Sequence, residues 1–306
     1  VSLATYPGTC VRKAWLVLPS GQSIQLENPA AGYFCTSLDL GAPIVRDVTT
    51  PRPDQHGLDD RSMYFGGRTV TADITALRGA GASIDGVAAA FAPFMMPDVR
   101  PVLHYVLERP GNPERVLTVR GESVDWPIVG PSERNIVLTF IAADPILRDP
   151  TVQMATSWSG STGSGRTYPL VPPRIYPTGG PIVNATITTH GDLPCQPLLR
   201  IYGPITTPRV TFRTLVNNTL FQVWGVAGFA IASGHYCQID TAARTALMDG
   251  DPSQNVLGSI DWLNTIWPVI PPSPDGATMT LAGDPAGGVM TGVTQVQATW
   301  QDAFLS

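Results

Sequence analysis

Hydrophobic and polar positions alternate along most of this chain. In RTVTADI, Val70, Ala72 and Ile74 fall on one face and Thr69, Thr71 and Asp73 on the other, a period of two that predicts a half-buried strand. Before it, VRKAWLVLPSG reads as a strand entering a Pro-Ser-Gly turn, with SIQLEN as its hairpin partner. RPVLHYVLE and ERVLTVRGE predict a second hairpin around RPGNPE, and RNIVLTFIAADP a further strand. Between these, TTPRPDQHGLDDRSMYFGG carries Pro51, Pro53, Gly57 and Gly66-Gly67, so an irregular exposed loop that reaches a neighbour is expected.

One segment has a helical period instead. SIDGVAAAFAPFMM, residues 83–96, begins with Ser83 as N-cap and Asp85 near the positive helix end. Val87, Phe91 and Phe94 or Met95 then recur at helical spacing, which predicts an α-helix packed on a sheet and closed by Pro97.

The pairing pattern stops at AADPILRDP, so a first domain spanning 1–150 is expected. Residues 151–180 are rich in Ser, Gly and Pro and read as a connector, one that packs along part of its length because it carries Trp158, Tyr168 and Tyr176. From 181 to 306 no helical period returns. ATITTHG, PLLRIYG, RVTFRTL, TLFQVWG, HYCQIDT, TALMDG, GSIDWL, ATMTLAG and VTQVQATWQ follow one another between turn residues, the signature of an antiparallel sandwich or jelly roll. The longest uncharged stretch, with LFQVWGVAGFAIA, is too short and too interrupted to cross a bilayer and reads as two buried strands.

Composition sharpens this picture. Of 306 residues, 43% are hydrophobic but only 14% are charged, against roughly 25% in ordinary soluble proteins, so neighbouring subunits are expected to cover much of the surface. Gly 30 and Pro 30 suit short strands and turns. A net charge of -5, with no basic run, argues against a dedicated grip on nucleic acid. VSLATYPGTC lacks the basic-then-apolar pattern of a secretory signal, so synthesis in the cytoplasm is expected.

Little in the sequence assembles chemistry. Cys10, Cys35, Cys195 and Cys237 form no CxxC pair and read as core thiols, and His56, His104, His190 and His235 are scattered. MDGDPSQNV spaces Asp249 and Asp251 like the start of a calcium loop, but Gln254 and Ile260 stand where that loop needs glycine and a bidentate Glu. An Asp-Gly turn is the expected role. There is no GxSxG elbow, no phosphate loop and no HExxH pattern. Asp59, Asp60, Glu108, Glu122 and Asp261 remain solvated loop charges unless the fold gathers them. No catalytic residue, cofactor site or metal site is expected, and the protein is not expected to be an enzyme. The residues singled out for binding are Trp262 and Trp267 in SIDWLNTIWPVIPP, whose loop position would suit contact with a glycan, whereas Trp224 reads as core.

The run GHYCQIDTAARTALMDG followed by GSIDWLNTIWPVIPPSPDGATMTL resembles the end of the distal tail proteins of long-tailed (siphovirus-type) phages. RTVTADI, the single helix, the hairpin and the closing AADP…DP resemble the first domain of that phage tail-component family. The sequence departs from the pattern between Thr156 and Thr178 and at PPSPDGATM. The resemblance implies a mainly β protein, with an N-terminal ring-forming β-barrel-like domain carrying one α-helix and a C-terminal galectin-like antiparallel β-sandwich, or jelly roll. It further implies a structural virion protein at the tail tip or baseplate, assembled in the host cytoplasm into a homo-oligomeric, hexameric ring. Such a hub joins the tail tube protein to the tail-associated or baseplate hub proteins, and DNA passes through its channel without specific binding or membrane insertion. The alternative is a tail-tip carbohydrate-binding module for host-surface attachment.

Overall fold

The computed structural model describes residues 13–46, 50–51, 58–59, 64–77, 84–106, 114–130, 133–158, 184–214, 219–282 and 294–305. The chain is mainly β and divides into two units, one of residues 1–150 with 305–306, the other of residues 151–304. The second unit is therefore inserted in the chain between Pro150 and Leu305.

Two antiparallel sheets build the first unit. One runs Ser23–Gln25, Lys13–Val17, Val102–Val106, Glu114–Thr118, Leu147–Arg148. Both sequence-predicted hairpins are in it, though the turn of the second lies outside the described residues. The other sheet runs Arg120–Asp125, Glu133–Ala142, Arg68–Leu77, Tyr33–Asp39. At its centre the alternation of RTVTADI is realised: Val70, Ala72 and Ile74 are fully buried, opposite Phe140, Leu138 and Ile136 on the neighbouring strand. AADPILRDP does not simply end the pairing as expected. Leu147–Arg148 forms one more short strand against Val116, because Asp144 turns the chain back by accepting from the Ile146 N–H and from Arg148.

The α-helix spans Ile84–Phe91 and tightens into a 3-10 turn, Ala92–Met95, that stops before Pro97. Val87, Phe91 and Phe94 are buried, and Phe91 meets Tyr33 edge-on at 5.7 Å. Asp85 lies in the first turn, 3.5 Å from Arg134; Ser83, the expected N-cap, lies outside the described residues.

The loop expected to be irregular contains pairing after all. Val45–Arg46 pairs with Tyr64–Phe65, and Thr50–Pro51 with Leu58–Asp59. Each pair is only two residues long; Pro51 itself stands in one of them, as proline can in a short edge strand, and Gly66-Gly67 follows the other.

In the second unit, one sheet runs Gln153–Trp158, Gln295–Trp300, Leu198–Tyr202, Tyr236–Asp240, Thr245–Met248. The other runs Ala185–Thr189, Ser273–Ala282, Arg209–Thr214, Leu220–Trp224. Their inward positions make one core that includes Ile187, Leu199, Ile201, Val210, Phe212, Cys237, Ile239, Met279, Leu281 and Val296, the arrangement of a β-sandwich. Gly276 turns the long strand with φ +73° beside a register break at Ile187, where a Cβ would stand 2.2 Å from the Ile187 carbonyl oxygen, so only glycine fits.

Three expectations change here. Gln153–Trp158 falls in the segment read as connector, yet it is a full edge strand on Gln295–Trp300, with Ala155 opposite Ala298. The Ser- and Gly-rich sequence that follows it, SGSTGSG, masked a strand whose partner is distant in sequence. GSIDWL is not a strand: Leu257–Ser259 is a 3-10 turn and only Ile260 bridges, to Gly225. The uncharged stretch does form two strands, Leu220–Trp224 and Ala230–Ile231, but only Val223 and Ile231 in them are fully buried. Among the described residues no helix is long and apolar enough to cross a membrane.

Candidate functional site

The segment MDGDPSQNV sits at a hairpin tip. Asp249 (φ +52°) and Gly250 (φ +72°) occupy the two left-handed central positions of a tight turn closed by the Asp251 N–H donating to the Met248 carbonyl, 2.9 Å. Thr245–Met248 thus folds back on 254–256, with Met248 N–H donating to Gln254 O and Val256 N–H to Ala246 O. On the preceding hairpin Cys237 stands opposite Met248 and Ile239 opposite Ala246, the register expected from the alternation.

The carboxylates in this segment are engaged within the protein. Asp249 accepts from the Tyr236 N–H at 3.0 Å and lies 2.6 Å from His235 Nδ1; the backbone bond first, then the histidine, hold its pKa below the ordinary Asp value. Asp251 accepts from the N–H and hydroxyl of Ser253, which lower its pKa too. Both are local turn-stabilising bonds. Among the described residues no three His, Cys, Asp or Glu side chains are grouped to hold a metal ion.

The other titratable groups are equally dispersed. Asp261 caps the turn after it through the Leu263 and Asn264 N–H groups and the Asn264 amide, while Glu122 belongs to the other unit. The Asp59 side chain, and Asp60 and Glu108, lie outside what is described. Cys195 and Cys237 are buried as expected, and burial pushes the Cys237 thiol up to about 12, which leaves no thiolate nucleophile there. Cys35 is half-exposed, contrary to the core role expected of it, and Cys10 is not among the described residues.

Trp262 and Trp267 are brought together, with ring centroids 5.6 Å apart and planes inclined by 58°. Their environments differ. Trp262 is 50% exposed, whereas Trp267 packs against the sandwich core. The cause is the course of the loop. Ile266 pairs with Gln222 at the edge of the four-stranded sheet, through reciprocal backbone bonds of 2.9 and 2.8 Å, and Asp261 N–H donates to Trp224 O. Ile266 therefore shares the outer face with Gln222, and the next residue, Trp267, turns inward. The loop leaves Trp262, Leu263 and Ile266 exposed and seals the edge of Leu220–Trp224. Trp224, read as core, is half-buried on the outer face, with the Arg209 guanidinium 4.2 Å above its ring.

A second apolar surface lies in the first unit. On the ribbon Val45–Arg46/Tyr64–Phe65 and beside it, Ile44, Val45 and Phe65 are all at least 46% exposed. Isolated two-stranded ribbons are marginal in water, and this one presents its apolar side chains to solvent.

These features define a class: a mainly β chain of two antiparallel units, with groups of exposed apolar side chains on a ribbon and a loop. No family model matches the chain, and no curated protein matches it. Among solved structures it is similar to the SPP1 Dit (gp 19.1) protein, described as a paradigm of the hub adsorption apparatus in phages infecting Gram-positive hosts. That match has a TM-score of 0.58 at 13% identity and covers 96% of this chain and 100% of that one. Structures of the phage P2 baseplate in its activated conformation also align, with Ca at a TM-score of 0.49, 10% identity and 95% and 98% coverage. The form with Sr aligns at 0.48, 12% identity and 94% and 98% coverage. The fold is that of a phage Dit protein, in agreement with the resemblance to distal tail proteins carried by the sequence.

Proposed function

We propose that this protein is a structural component of a phage tail tip, a hub that joins the tail tube to the baseplate or tail-tip proteins. The observation that carries this reading is the fold match to the SPP1 Dit protein, which covers 96% of this chain and 100% of that one. In this role the chain forms a closed hexameric ring. Its first unit lies around the DNA channel, and its galectin-like second unit faces outward to neighbouring tail proteins. The low charge content and the exposed side chains of Ile44, Val45 and Phe65 support lateral contacts between copies. The acidic balance suits a channel along which DNA moves without being held. The work of such a protein is assembly rather than catalysis, in the virion tail after synthesis in the host cytoplasm.

Native mass spectrometry and negative-stain imaging of the purified chain test this reading. A six-subunit ring with a central opening is the expected result. A chain that stays monomeric at all concentrations, with no ring in tail preparations, sinks it.

A further inference from the structure

The outer face of the four-stranded sheet carries a feature that a purely structural hub does not need. Alternation along Arg209–Thr214 buries Val210, Phe212 and Thr214 and turns Arg209, Thr211 and Arg213 outward. Register places Thr211 beside Thr280 and Gln222, and Arg213 beside Thr278 and Leu220. Arg209, Thr211, Arg213, Thr278, Thr280 and Asn184 line an open depression of about 380 Å³, within the range of small-ligand sites.

Its chemistry is distinctive for this chain. The whole protein has a net charge of -5, yet the described lining holds two arginines and no carboxylate. Arg209 is fixed in place: its guanidinium stacks on Trp224 at 4.2 Å, Nη2 points to Gln222 Oε1 at 3.4 Å, and buried Nε has no hydrogen-bond partner. A guanidinium held by stacking loses little freedom on binding an anionic oxygen. Around it the threonine hydroxyls and the Asn184 amide, which accepts from Thr280 at 3.1 Å, supply donors and acceptors matched to a polyol. The Trp224 face is already covered by Arg209, so the depression offers no base-stacking platform of the kind single-stranded nucleic acid uses. A strand rise of about 3.3 Å puts the Cα atoms of Arg209 and Arg213 roughly 13 Å apart, which favours an extended ligand with repeated charge over a single ion.

We propose that this face binds an anionic saccharide chain, a sugar polymer bearing carboxylates or phosphates, with Arg209 as the fixed anion contact and the Thr211, Thr278, Thr280 and Asn184 side chains reading hydroxyls. It is a different site from the Trp262 loop and does not depend on ring formation. The test is calorimetric titration of the full chain with oligogalacturonate, phosphomannan, uncharged mannan and polyglutamate. Binding of either charged saccharide is expected, and which one binds identifies the anionic group. Uncharged mannan is expected not to bind, and polyglutamate at least tenfold more weakly. Arg209→Gln and Arg213→Gln should each weaken binding at least fivefold, with unchanged circular dichroism, while Trp262→Ala leaves it intact. Absence of binding by both charged saccharides, equal binding of polyglutamate, or affinity unchanged in Arg213→Gln overturns the proposal.

Discussion

Arg68, only 2% exposed, donates from Nη2 to the carbonyl oxygen of Leu305 at 2.8 Å, joining residues 237 apart in sequence within the first unit. Burial lowers the pKa of this guanidinium, but an arginine stays protonated, so the charge must be satisfied in place. Arg68→Met should cost about 2–3 kcal/mol, the scale of a buried hydrogen bond to a charged group, and removal of residues 305–306 a similar amount. The two changes should be clearly less than additive in urea denaturation; full additivity would show that the bond contributes nothing.

The two tryptophans paired in the sequence should separate in stability experiments. Trp267→Ala removes an aromatic from the margin of the sandwich core and should destabilise the second unit by about 2–3 kcal/mol. Trp262→Ala should stay within about 0.5 kcal/mol of the parent. Thermal unfolding of both variants checks this, and equal losses would contradict the burial described.

Asp249 sets a pH dependence at the acid end. Its carboxylate binds a proton only below the pH at which the unfolded chain's carboxylate does, because the Tyr236 N–H and His235 favour the charged form. In that window the unfolded state holds more protons, so this contribution is complete above the ordinary Asp value and is lost as pH falls through the depressed native one. NMR titration of the Asp249 carboxyl should show the lowered midpoint. In His235→Ala the midpoint should rise but remain low, since the backbone bond is the larger cause; a return to the ordinary value would reverse that order.

If the ribbon makes lateral contacts, charge placed on it should abolish assembly without unfolding the chain. Val45→Asp and Phe65→Asp are expected to shift the native mass distribution from ring to monomer while leaving far-UV circular dichroism unchanged. Rings that persist in both variants would place the subunit contacts elsewhere.

Strands whose faces differ were legible from sequence alone. Val70, Ala72 and Ile74 alternate so cleanly with polar neighbours that both the strand and its buried face follow, and Cys237 with Ile239 predicted the partners Met248 and Ala246. Gln153–Trp158 was hidden because its partner, Gln295–Trp300, lies far along the chain and because it runs directly into the Ser- and Gly-rich sequence SGSTGSG. SIDWL misled in the opposite direction: Ile260 is buried but Trp262 and Leu263 face solvent, and the Asp261 N–H donated to the Trp224 carbonyl, rather than a strand period, holds the segment. The Arg209 depression could not be read at all. Arg209 and Arg213 look like ordinary outward positions until register brings Thr278 and Thr280 from another strand beside them.

The seal along Leu220–Trp224 bears on how many copies of this chain can safely share a small volume. A bare strand edge is indiscriminate, since its amides and carbonyls accept any passing segment, and the risk of mispairing climbs with local concentration. By closing that edge with its own residues 260–266, the protein removes a template for runaway polymerisation and leaves side-chain complementarity to select its neighbours.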